Sequence, residues 1–151
     1  MAGAVSALLP EIEGRSLLVA DAGGTAALAL VTIASALTDA DGVVVLNLVV
    51  AGVLFLGGCV GFTIGFLRAV GRSRTETIDL AGLFYLTGSA PTPARRAFLG
   101  LWFAQIGIAA AAIPLTDPPF AVMAPVWGNG IITWWASAHA TFPARPDQTR
   151  H

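Results

Sequence analysis

The chain has 151 residues, 56% of them hydrophobic and only 11% charged, with a net charge of −1 and a mean hydropathy of +0.76. Soluble domains carry about a quarter charged residues to wet their surface, so this composition excludes an ordinary water-facing protein and predicts one membrane domain over residues 1–151. No lysine occurs, and the single Cys59 excludes an internal disulfide and any metal site built on several thiolates.

From the N-terminus, Glu11 and Glu13 stand where a secretory signal peptide would carry basic residues. The first apolar stretch is therefore read as a retained span. A crossing helix needs about 20 apolar residues to traverse about 30 Å of hydrocarbon. Residues 16–37 supply the first, between Arg15 and the acidic turn Thr38-Asp39-Ala40-Asp41-Gly42. Residues 43–67 supply the second, which stops at Arg68 and is long enough to tilt.

The connection of residues 68–96 is the one long loop. Ser73-Arg74-Thr75-Glu76 fits a capping box, in which a hydroxyl and a carboxylate each pair with an open amide at a helix start. A short helix over residues 75–87 is expected to follow, ended by Gly88, Pro91 and Pro93. Its many apolar residues place it on the inner membrane interface or tucked under the bundle. Residues 97–113, between Arg96 and Pro114, form the third span, and residues 119–138 the fourth, after the turn Leu115-Thr116-Asp117-Pro118. Backbone groups cannot stay open in lipid, and the period-two pattern of a barrel is absent, so the expected fold is an all-α bundle of four transmembrane helices.

All eight basic residues are arginines, and all fall before span one, between spans two and three, or after span four. The other two loops carry Asp39, Asp41 and Asp117 and no basic residue. The positive-inside rule then places both termini in the cytoplasm, and arginine-only usage with much Ala, Gly and Val, which looks like GC-rich bacterial coding, makes a bacterial plasma (cell inner) membrane the expected one. The arginines are those needed to orient the spans, so nucleic acid is not an expected partner.

Within the spans, Gly57, Gly61 and Gly65 recur every four residues and mark a face for close helix packing, against a helix of this chain or of another copy or partner. Asp21 lies about 9 Å inside Arg15. Arg68, His139, Gln105 and Thr63 fall at comparable depth, and the five together form a candidate polar cluster opening toward the cytoplasm. Intramembrane carboxylates mark ion or proton routes or pair inside the bundle. Asp21 either takes up and releases a proton or binds a cationic substrate, with His139 able to titrate near neutral pH, or anchors its helix by pairing with Arg68 or Arg15. Trp134 and Trp135 suit an interfacial aromatic belt. Trp127 sits deeper beside Pro125, Gly128, Asn129 and Gly130, an expected kink at which Asn129 lines a small cavity or merely marks irregular packing.

His139 and His151 are the only histidines and cannot bracket a haem. No nucleophile, phosphate-binding loop or metal cluster is visible either, so the expectation is a non-enzymatic protein without cofactor or metal.

The stretch from Ser73-Arg74-Thr75 through Leu86, then Ser89-Ala90-Pro91, Arg95-Arg96, Phe120 to Pro125 and His139 to Pro143, resembles small, uncharacterised actinobacterial-type four-helix integral membrane proteins. That resemblance implies a class and brings no activity or catalytic residue. The expected role is an accessory or scaffold subunit of a larger membrane complex, respiratory or lipid-transport in type. The alternative is a small transporter or channel using Asp21, similar in outline to the small multidrug-resistance exporters.

Overall fold

The computed structural model describes residues 12–146; Glu11, Arg150 and His151 lie outside them. Long runs of Leu, Val, Ala and Gly give helices wherever no Pro or turn intervenes. These are α1 (Arg15–Leu37), α2 (Asp41–Arg72), the short α3 (Leu80–Phe84), α4 (Thr92–Leu115), a 3-10 turn (Phe120–Met123) and α5 (Pro125–His139). Among the described residues no strand occurs, only one isolated bridge between Glu76 and Ala144. Three helices, α1, α2 and α4, are long and apolar enough to cross a membrane. The protein is thus all-helical, with the elements of a multi-pass membrane protein.

Several boundaries differ from the expectation, each for a local reason. α2 runs on past Arg68 to Arg72, because a long arginine stem lies along a helix while its head reaches the interface. Ser73 is the C-cap of α2, and its hydroxyl donates to the Val70 carbonyl at 2.7 Å. The capping box therefore does not form: Glu76 instead accepts from Arg72 Nε at 2.9 Å. The next helix is capped by Asp79, whose carboxylate accepts from the Gly82 N–H at 2.8 Å.

The expected helix over residues 75–87 shrinks to α3 because the C-terminal tail takes over its first residues. Thr77 N–H donates to Pro143 O at 2.7 Å and Arg145 N–H to Thr75 O at 3.0 Å. Leu86, at φ 54°, and Gly88, at φ 71°, then turn the chain back, and the Ser89 hydroxyl closes the loop on Gly82 O at 2.6 Å. Leu83 and Leu86 are buried, so the connection is folded into the bundle end.

α4 begins ahead of its arginines and ends beyond Pro114. Pro93 in the first turn costs no hydrogen bond, and Pro114 stands so near the end that the loss is confined to the last turn.

The expected continuous helix over residues 119–138 is two pieces. Pro125 lacks an N–H and its ring obstructs a preceding helical turn, so α5 starts at Pro125 and the preceding residues form the 3-10 turn. α5 has 15 residues, about 22 Å of rise.

The tightest seam joins α2 to α5, which run parallel. A Cβ on Gly58 would collide with the Val126 carbonyl, and one on Gly65 would stand 2.6 Å from the Thr133 carbonyl. Gly130 faces back onto the Gly58 backbone in the same way. Such backbone-to-backbone approach replaces the hydrophobic drive that lipid cannot supply. Gly61 continues the seam and Gly57 meets the Trp127 ring, so this packing face is used inside the chain. α1 and α4 run parallel to each other and antiparallel to the α2–α5 pair. Arg15, Arg68, Arg72, Arg95, Arg96 and Arg145 consequently gather at one end of the bundle, and Asp39, Asp41 and Asp117 at the other.

Candidate functional site

Asp21 stands on the inner face of α1, fully buried. One carboxylate oxygen, Oδ1, accepts from Gln105 Nε2 of α4 at 2.8 Å. Gln105 Nε2 also donates to Thr25 Oγ1 at 2.8 Å, and Gln105 Oε1 accepts the Gly128 N–H of α5 at 3.0 Å. Thr25 in turn donates to the Asp21 backbone carbonyl at 2.8 Å. Three helices are thereby tied through one glutamine. The Gly128 amide needs this partner because it lies in the first turn of α5, where helix N–H groups lack an intrahelical acceptor.

Two polar atoms at this junction remain unpaired. Asp21 Oδ2 and Trp127 Nε1 are both buried and without a hydrogen-bond partner among the described residues. Asp21 has no salt bridge there either. Further toward the acidic end, Thr32 Oγ1, Ser35 Oγ and Asn47 Oδ1 are likewise buried without a partner.

Of the five residues expected to cluster, the structure brings together Asp21 and Gln105 alone. Thr63 is exposed and donates only to its own helix, to Cys59 O at 2.8 Å. It sits two residues from both Gly61 and Gly65, which turns it about 200° away from the seam at 3.6 residues per turn. Arg68 is exposed at the arginine-rich end. His139 lies at that same end, its Nδ1 3.7 Å from Glu13 Oε2 and its ring 5.6 Å from that of Trp135. Thr63 faces away from the seam, and Arg68 and His139 lie at the end of the bundle beside Gly14 rather than at the level of Asp21.

Trp135 also departs from the belt expectation. It is only 2% exposed, packs 5.3 Å from the Phe98 ring and donates to the Glu13 backbone carbonyl at 2.6 Å. An indole in a core position requires such a partner.

Arg72 is a key residue that sequence pattern did not single out. It donates to Ser137 O at 2.9 Å and Ala140 O at 3.0 Å, pairs with Glu76 at 2.7 Å and lies over the Phe142 ring. Its charge meets the last carbonyls of α5, where the helix dipole favours a cation. Its place in an arginine-rich loop concealed this role.

A cavity of about 480 Å³ opens between α2, α3, α4 and the start of α5, lined by Phe62, Phe84, Tyr85, Trp102, Pro125, Val126 and Asn129. Asn129 thus lines a cavity at the start of α5. Asp21 is not among its lining residues. Comparison of the chain with family models, curated proteins and solved structures finds no match in any of the three. Function has to be argued from the geometry of this chain alone.

Proposed function

We propose that the protein is a non-enzymatic integral membrane protein acting as an accessory or scaffold subunit of a larger membrane complex, respiratory or lipid-transport in type. The observation that carries this reading is the outward face of α4. Gly100, Ala104, Gly107 and Ala111 recur at helical spacing and are all exposed, and a Cβ on Gly100 or Gly107 would meet nothing within 4 Å. Small residues in that pattern admit a second helix to backbone contact, the device α2 uses against α5. Lipid chains require no such groove.

Four crossings belong to this proposal. α1, α2 and α4 make three, and the 3-10 turn with α5 adds about 30 Å of rise as the fourth. The arginine-rich end faces the cytoplasm by the positive-inside rule, which puts both termini there and the α3 connection at the inner interface of a bacterial plasma membrane.

Mild-detergent purification from the native host, followed by mass spectrometry, tests the role. A stoichiometric partner is expected, and Gly107→Leu should release it. A lone monomer, or partner retention in that variant, would refute the accessory reading. A second reading, a small transporter or channel using Asp21, draws on the unpaired Asp21 Oδ2. It requires liposome flux that Asp21→Asn abolishes.

A further inference from the structure

We infer that the aromatic cavity between α2, α3, α4 and α5 binds the headgroup of an isoprenoid quinone or quinol drawn from the bilayer. The inference is independent of the accessory role. At about 480 Å³, the cavity falls in the range of small-molecule sites. Phe62 and Phe84 present rings parallel to within 9° with centroids 5.8 Å apart. Tyr85 and Trp102 contribute a second, tilted pair at 5.9 Å. Trp102 Nε1 is already committed to Pro125 O at 3.1 Å. The polar side-chain atoms left to a ligand are the Tyr85 hydroxyl and the Asn129 carboxamide. The latter is half-buried and makes no hydrogen bond among the described residues.

That combination selects the chemistry. Stacked and tilted rings favour a flat, conjugated ligand, and an unpaired amide in an apolar wall favours one that carries a carbonyl or hydroxyl. An acyl chain would fill the space and leave Asn129 unpaired. Sugars and phosphates would find no charged group on the lining. Phe62 lies six residues from Arg68 and Trp102 six residues from Arg96, about 9 Å along each helix, next to the α3 connection at the inner interface. Entry at that depth is from the bilayer, where prenylated quinones reside.

The test is a titration of the full chain in lipid nanodiscs with a short-tailed prenyl naphthoquinone, read by quenching of tryptophan fluorescence. Saturable quenching is expected, unaffected by palmitic acid. Asn129→Leu should weaken it about tenfold, the loss of one buried hydrogen bond, and Tyr85→Ala should weaken it as well. Purely linear quenching, displacement by palmitic acid, or unchanged affinity in Asn129→Leu would overturn the assignment. If Asn129→Leu loses wild-type helicity, Tyr85→Ala decides in its place, and unchanged affinity there overturns the assignment equally.

Discussion

Gln105 uses both amide hydrogens and its carbonyl within the bundle, on Asp21, Thr25 and Gly128. Replacing it by Leu strands a buried carboxylate and an open helix amide at once. Each unsatisfied group costs about 1–3 kcal/mol, so Gln105→Leu should destabilise the protein by about 3 kcal/mol, read as a lower midpoint in denaturant titration in detergent. Thr63→Val should leave that midpoint unchanged, since Thr63 bonds only within its own turn. Asp21 and Gln105 were legible in the sequence because a polar side chain in an apolar run is conspicuous. Thr25 was not, although it stands one turn from Asp21 on the same face, because threonine is ordinary in a membrane helix.

Between elements, the α2–α5 seam rests on missing side chains rather than on present ones. Gly65→Leu would place atoms where the Thr133 backbone stands and should abolish folding, seen as lost α-helical circular dichroism and aggregation. Gly52→Leu, on the same helix but with open space around it, should fold normally. The spacing of Gly57, Gly61 and Gly65 announced a close contact, but not that Gly58 stands nearest to α5. At the end of the seam, Arg72→Ala removes bonds to the Ser137 and Ala140 carbonyls and the pair with Glu76. A loss of about 2 kcal/mol is expected, measurable as a lower thermal midpoint. Arg72→Lys should restore only part of it, since an ammonium cannot reproduce the planar fork.

Across the whole molecule, arginines gather at one end and Asp39, Asp41 and Asp117 at the other, and the proposed orientation rests on that separation. In a Cys59→Ser background, Asp39→Cys should react with a membrane-impermeant maleimide on intact cells, and Arg145→Cys only after permeabilisation. The reverse pattern would invert the proposed topology. Helical architecture, three helices long and apolar enough to cross a membrane, and the two unlike ends were all readable from sequence. Those features depend on hydropathy and charge, which act residue by residue against lipid and water. Only the tertiary structure decided which way each polar side chain faces, that α5 begins at Pro125, and that the α3 connection brings Phe84 and Tyr85 to a cavity lined also by Asn129. Those outcomes depend on how helices are rotated against one another, and that rotation is fixed by backbone contacts such as Gly58 on Val126, between residues far apart in the chain.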